Sequence, residues 1–257
     1  MAIITLTSDW GLKDHYVGAV KGAILQRMPE VNIVDISHRI PSFEIEQAAF
    51  VLRNCFRLYP KGTVHIIGVN TEESDAYSHT VVETEGQYFI GTDSGVFSMI
   101  FDKKPEKIIE LTIPQDSGFF TFSSRDRFAK AAVHLAQGKP IEELGDLKDN
   151  IVEKILFKPV VDQGVIKGHV IYIDSYENII TNIHENLFNE IKEDKNFLIS
   201  FRSHSIKKIS SSYQDVAPGE ILALFDSNGL MEIAMNQGNA AGLLGLNCKD
   251  LVRIEFS

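Results

Sequence analysis

Thr63-Val64-His65-Ile66-Ile67-Gly68-Val69 reads as a strand with apolar side chains on both faces. Strands of that kind belong to parallel sheets covered by helices on each side. Upstream, Ile3 to Thr7 is a short β-rich run. Asp14 to Arg27 carries Val17, Val20, Ile24 and Leu25 at helical spacing and is closed by Pro29. Val31 to Ile36 is a second strand. Phe43 to Leu58 is a second helix, with Ala48, Val51, Leu52, Cys55 and Phe56 on one side. This strand–helix–strand–helix–strand order predicts an α/β layer with right-handed crossovers. Downstream, His79 to Thr84 and Tyr88 to Ile90 frame Glu85-Gly86-Gln87 as a hairpin. Ser124 to Gln137 reads as a third helix ended by Gly138.

From Val160 onward the pattern changes to short alternating runs: His169 to Asp174, Phe197 to Ser203, Ile221 to Phe225, Met231 to Ala234 and Leu251 to Phe256. Turn signals such as Asp162-Gln163-Gly164, Pro218-Gly219 and Ser227-Asn228-Gly229 separate them. The expected organisation is an α/β N-terminal domain over residues 1–157, with a mostly parallel sheet flanked by helices. A small all-β, antiparallel, barrel-like C-terminal domain is expected over 163–257.

The 257 residues carry 25 Lys+Arg against 35 Asp+Glu, a net charge of −10. That balance excludes a broad nucleic-acid footprint and argues against an anionic membrane surface. No apolar run reaches the ~18 residues of a spanning helix. Met1 to Thr7 lacks a basic region and reads as a strand rather than a signal peptide. Cys55 and Cys248 are far apart and form no C-x-x-C, which argues against a disulfide framework or a zinc–thiolate site and fits a reducing cytoplasm. The eight histidines are scattered, and G-x-G-x-x-G, G-x-x-x-x-G-K-[ST], H-E-x-x-H and G-x-S-x-G are all absent. No metal and no cofactor is expected.

Four polar clusters remain. Ser8-Asp9-Trp10-Gly11, with Asp14 beyond it, follows the first strand, where open α/β sheets bind ligands. A carboxylate there can accept both hydrogen bonds of a ribose diol; equally, Asp14 suits a helix N-cap. Thr121-Phe122-Ser123-Ser124-Arg125-Asp126 opens a helix, where unpaired N–H groups favour anions or simply take a cap. Asp174-Ser175-Tyr176-Glu177-Asn178 and Ser227-Asn228-Gly229, with Asn236 to Ala241 downstream, read equally well as turns.

Taken in order, these clusters resemble one family, the S-adenosyl-L-methionine (SAM) hydroxide adenosyltransferases, which also contains the fluorinases and chlorinases. The resemblance spans nearly the whole chain. It rests on Ser8-Asp9-Trp10-Gly11 with Asp14 and Lys21-Gly22, Val34 to His38, Phe43 to Ala48, and Tyr88 to Ile90 with Asp93-Ser94-Gly95. It continues through Thr121-Phe122 with Arg125-Asp126, Asp174 with Asn178, Thr181-Asn182-Ile183, Ser227 with Gly229, and Asn236 with Ala240-Ala241. The resemblance implies attack at ribose C5′ of SAM with release of L-methionine. Water gives adenosine; a halide gives 5′-halo-5′-deoxyadenosine. It also implies a homotrimer whose active sites lie at subunit interfaces.

By the same resemblance, Asp9 holds the ribose hydroxyls, Asp14 lies near the methionine amine, and Phe43 forms an aromatic wall beside the reacting centre. Trp10 and Phe122 belong to the same motifs and join the binding set. Asp174, Tyr176 and Asn178 match a loop that contacts methionine and adenine. Ser227 matches the methionine end, and Asn236 to Asn239 the adenine edge. The chemistry is consistent with such a site. Methionine leaves a sulfonium as a neutral thioether and needs no acid, so the protein has only to align and desolvate the nucleophile.

The sequence departs from the family at the nucleophile. Water-using members carry an Asp–Arg–His trio, and the matched positions here are Asn70, Tyr77 and Ser123. Asn70 cannot act as a base; Glu73 or His79, close in the same stretch, could. Ser124 matches the serine with which the fluorinase holds fluoride, whereas Glu73 matches a threonine of that pocket. A carboxylate facing a halide repels it by about 1–4 kcal/mol at ~4 Å for effective dielectrics of about 80 to 20. The expectation is therefore a SAM hydrolase with Asn70, Glu73, His79, Ser123 and Ser124 as the catalytic candidates. A non-catalytic SAM- or adenosine-binding protein and a halogenase are the alternatives.

Overall fold

The computed structural model describes residues 2–154 and 158–257. Two compact units divide the chain, Met1–Ile155 and Leu156–Ser257. The expected end of the first domain, residue 157, lies outside the described residues.

The first unit runs β1 (Ile3–Ser8), α1 (Tyr16–Arg27), β2 (Asn32–Ser37), α2 (Ile45–Arg53), β3 (Val64–Gly68), β4 (His79–Thr84), β5 (Gln87–Thr92), α3 (Val96–Ile100), β6 (Lys107–Leu111), α4 (Ala129–Ala136) and β7 (Gly145–Leu147). Its sheet has the order β2-β1-β3-β5-β4-β6-β7. The pairings are parallel from β2 to β5 and antiparallel from β5 to β7. The sheet is therefore mixed, with helices on both sides. Neighbouring residues of a strand feed opposite cores, as the two-residue period requires. Ile66, Val81 and Ile90 pack with Val20, Ile24 and Phe128 on one face. Ile67, Val82 and Phe89 pack with Ala48, Leu52 and Phe56 on the other.

Three helices differ from their expected bounds. α1 begins at Tyr16 with His15 as N-cap, so Asp14 is not its cap. α2 begins at Ile45, because Phe43 adopts φ +69 and cannot belong to a right-handed helix. It stops at Arg53, and a separate 3-10 turn covers Phe56–Leu58. The third helix starts as a π turn over Ser124–Phe128, in which the Ala129 N–H reaches back to the Ser124 carbonyl, and continues as α4.

The second unit contains β8 (Val160–Asp162), β9 (Val165–Ile173), β10 (Ile179–His184), α5 (Glu185–Lys192), β11 (Phe197–Phe201), β12 (His204–Ile206), β13 (Ile221–Phe225), β14 (Leu230–Met235), α6 (Ala240–Leu244) and β15 (Leu251–Phe256). Its strands pair antiparallel in the order β12-β11-β15-β9-β10-β14-β13, with β8 also on β9. A bridge from Ile209, just past β12, to Ala223 on β13 nearly closes the sheet into a barrel. Its interior holds Ile166, Val170, Ile179, Phe188, Ile199, Ile233 and Val252. Among the described residues no helix is long and apolar enough to cross a membrane.

Of the polar residues buried in the first unit, His65 has the largest consequence for stability. His65, on β3, is fully buried between the Thr5 hydroxyl (2.7 Å) and the Gln87 side-chain oxygen (2.6 Å). Burial pushes its pKa down to about 4, and the Gln87 bond opposes the shift only in part. The folded chain thus keeps His65 neutral where the unfolded chain, with an ordinary value of ~6.5, takes up a proton. Stability is expected to be full above pH ~6.5 and to fall as pH drops toward about 4, by on the order of 3 kcal/mol in total from this group. Denaturant unfolding at pH steps between these values, with the His65 ring followed by NMR, checks this; a ring that titrates near 6.5 contradicts it.

Candidate active site

The chain leaves β1 through α1 toward β2 on one side of the sheet, and returns through α2 to β3 on the other side of β1. α1 packs on one face and α2 on the opposite face. Beyond the carboxyl ends of β1 and β3 the loops diverge, and this is where an open α/β sheet forms its crevice. Asp9 leaves the end of β1, and Asn70 lies two residues past β3.

A cavity of about 1420 Å³ opens there, and the described residues that line it belong to the first unit. Asp9, Trp10, Tyr16, Phe43, Phe120 and Phe122 form an aromatic and acidic part of its wall. Asn70 to Ala76 form the loop side, and Ser78, Glu110, Gln115, Ser123, Lys148 and Val152 also line it. Asp9 Oδ2 accepts the Phe43 backbone N–H at 2.9 Å, which holds that strained residue with its ring 72% exposed. Trp10 stacks on His38 (centroids 5.9 Å) and meets the edge of Phe122 (6.3 Å), whose ring also meets Tyr16 (5.3 Å). His38 is fixed by the Ser8 hydroxyl at 2.6 Å.

Five carboxylates, Asp9, Glu72, Glu73, Asp75 and Glu110, line the cavity. Lys148 lines it too, but its amine is held by the buried Asp93 carboxylate at 2.8 Å. Glu73 Oε2 accepts from Arg127 Nη1 at 2.8 Å, and its Oε1 accepts the His79 backbone N–H at 3.3 Å. Such a wall favours a cationic ligand and disfavours an anion.

The catalytic candidates divide. Asn70, Glu73 and Ser123 line the cavity. Ser123 Oγ accepts from Gln115 Nε2 at 3.3 Å. Ser124 and His79 are buried and do not line it; Ser124 Oγ has no partner among the described residues. Tyr77, at the position matched to the family's arginine, is also outside the lining. Of the binding candidates in this unit, Asp9, Trp10, Phe43 and Phe122 line the cavity, whereas Asp14 is exposed and does not. Arg127 and Lys148 carried no sequence signal.

In the second unit, Asp174 shapes its own loop. Its Oδ1 accepts the backbone N–H groups of Tyr176 (2.9 Å) and Asn178 (2.8 Å), and its Oδ2 accepts from Asn178 Nδ2 (3.2 Å). The Ala241 N–H reaches the Glu177 carbonyl at 2.9 Å, which ties this loop to the start of α6. There Asn239 accepts the Gly242 N–H at 2.6 Å as the helix cap. Asn236 Nδ2 bonds the Val216 carbonyl at 2.8 Å, and Ser227 is exposed in a turn shaped by Asp226. Nearby, Tyr213 donates to buried Glu232 at 2.8 Å. Burial first, then the Asp174 and Asp226 charges, push the Glu232 carboxyl up, although the Tyr213 bond opposes them. Asp174, Tyr176, Asn178 and Asn239 are thus gathered around the start of α6, and Glu232 was not foreseen.

The model of the SAM hydroxide adenosyltransferase N-terminal domain matches residues 4–145, and that of the C-terminal domain matches 168–253. The chain belongs to the SAM hydroxide adenosyltransferase family. A relative in this family from Methanocaldococcus jannaschii, named (R)-S-adenosyl-L-methionine hydrolase, is 32% identical over 99% of this chain and 96% of its own. A protein of the same name from Thermus thermophilus is 29% identical over 96% of each chain. The fluorinase of Nocardia brasiliensis is 30% identical over 71% of each chain. The crystal structure of an uncharacterized conserved protein from Thermotoga maritima superposes with a TM-score of 0.89 at 32% identity, covering 98% of this chain and 99% of that one.

Gly68, the last residue of β3, lies directly under Trp10: a Cβ there falls 2.2 Å from the indole ring. Gly68→Ala is expected to displace that ring and to destabilise the fold by about 1–3 kcal/mol. Trp10 is the only tryptophan in the chain, so its emission reports the displacement directly. Unchanged emission and an unchanged unfolding midpoint would count against this packing.

Proposed function

We propose that the protein hydrolyses SAM to adenosine and L-methionine by attack of water at ribose C5′. The observation that carries this reading is the charge of the cavity wall: Asp9, Glu72, Asp75 and Glu110, with Glu73 paired to Arg127 and the lining lysine tied to Asp93. SAM brings a sulfonium and an ammonium, and both gain from such a wall. The names of the full-length relatives support the same reading.

In this reading Asp9 accepts the ribose hydroxyls, and the rings of Trp10, Phe43 and Phe122 shield the reacting carbon. Water forms its bond to C5′ as the C5′–S bond breaks. The electron pair leaves with sulfur, which becomes the neutral thioether of methionine. The water proton passes to the Glu73 carboxylate, the cavity-lining base candidate. Burial removes His79 from direct contact with water. By the family resemblance, Asp174, Tyr176, Asn178, Ser227, Asn236 and Asn239 are the candidates for further contacts to the adenosyl and methionine groups, and Asp14 for the methionine amine. A reducing cytoplasm is the proposed setting.

Asp9→Ala is expected to weaken SAM binding by roughly 1.5–3 kcal/mol, since the ribose loses a charge-assisted acceptor. Calorimetry reads this, and unchanged affinity removes the ribose assignment. A product assay by chromatography and mass detection, with and without chloride, bromide and fluoride, tests the reaction itself. Adenosine and methionine independent of halide are expected. A halo-deoxyadenosine would establish a halogenase, and intact bound SAM a binding protein.

We further propose a homotrimer. Phe43, Phe119 and Phe120 are each more than 70% exposed, an apolar surface of the kind that association covers. Light scattering is expected to give about three times the 28.8 kDa chain mass; the monomer mass would refute the assembly.

A further inference from the structure

Arg127 belongs to no recognisable motif, yet it joins three groups beneath the Asn70–Ser78 loop. Its Nη1 donates to Glu73 Oε2 at 2.8 Å and to His79 Nδ1 at 3.0 Å. His79 Nε2 faces the Thr71 carbonyl at 2.9 Å. A carbonyl only accepts, so Nε2 carries the proton and Nδ1 offers its lone pair to Arg127. Burial, with the guanidinium acting in the same direction, keeps the imidazole neutral by lowering its pKa. Phe128 closes this arrangement edge-on to the ring at 4.8 Å. Thr71 and Glu73, two residues of one cavity-lining loop, are thereby tied to the start of β4 and to the π turn Ser124–Phe128. Single-turn π segments recur at functional sites.

We propose that Arg127 is the positioning residue of this site: with His79 as its buried support, it fixes the Glu73 carboxylate at the cavity wall so that Glu73 takes the proton of the attacking water. The assignment rests on the hydrolytic reading above. The Arg127 side chain is only 11% exposed and Glu73 37%, so a cation held in the interior meets a carboxylate that reaches the open cavity. The guanidinium meets carboxylate and imidazole through one planar, preorganised group, which a lysine on a flexible stem does not reproduce. The His79 ring is committed on both nitrogens and so supports Arg127 without itself meeting water.

The test is kcat and KM for SAM in the wild type, Arg127→Lys, Arg127→Met, Glu73→Gln and the Glu73→Gln/Arg127→Met double variant. Arg127→Met is expected to lower kcat about 100-fold with KM within about threefold, and Arg127→Lys to lower it about tenfold. The double variant is expected to be no slower than Glu73→Gln alone, the non-additivity of two residues acting as one.

Full kcat in both Arg127 variants overturns the proposal. So does a further loss of the same size in the Glu73→Gln background. If Arg127→Met fails to fold, Arg127→Lys decides: wild-type kcat overturns the proposal and a tenfold loss with unchanged KM supports it. A wild-type protein that releases no adenosine overturns the hydrolytic reading and this proposal together, whereas an active wild type with indifferent Arg127 variants overturns the proposal alone.

Discussion

The parallel pairing of β1 with β3 is the constraint on which the rest depends. Both strands are covered on two faces, so their side chains are spent on packing. Polar chemistry has to wait until the strands end. Because α1 and α2 take opposite faces, the two chain exits separate at that edge and leave a crevice between them. Asp9 and the Asn70 loop emerge on its two sides. The Asp9 backbone N–H still reaches the Gly68 carbonyl (3.4 Å), so the carboxylate is aimed by the sheet itself rather than by a free loop.

The cavity's electrostatics follow from which charges are already committed. Lys148 and Asp93 satisfy each other, with the Val152 N–H completing the carboxylate's bonds at 3.0 and 3.1 Å. Arg127 satisfies Glu73 without lining the cavity. What remains toward the interior is acidic. A sulfonium loses water at little cost beside such groups, and the departing thioether, being neutral, loses that attraction once the bond breaks.

The sequence made the layers legible because alternation and helical spacing report burial directly. Ile66 and Ile67 feed the two cores their pattern demands, as do Val81 and Val82. Helix ends were less legible. Residues 12–15 are exposed and hold one apolar side chain, Leu12, too little to set a helical phase, and a left-handed Phe43 leaves no trace in composition. α5 is two turns long, with only Leu187, Phe188 and Ile191 to mark its inner side, too few to declare a period. At the site, Asp9 was readable from its place at the end of the first strand, whereas Asn70 was reached only through the family resemblance. His79 shows the limit of proximity along the chain, and Ser124 the limit of a matched position: each neighbours a cavity-lining segment but is itself buried outside the lining. Arg127 was illegible because its partner Glu73 lies 54 residues away.

The π turn ahead of α4 has a consequence for how this chain tolerates change. It holds one more residue than a regular turn, and that residue sets the phase of everything after it. Phe128, Ala129, Ala131, Ala132 and Leu135 all point into one core in the resulting register. A further one-residue insertion in Ser124–Phe128, which already holds its surplus residue, would rotate the rest of α4 by about 100° and carry that apolar stripe toward solvent. The irregularity is thus locked in by the core it indexes, and the segment can drift in composition far more readily than in length.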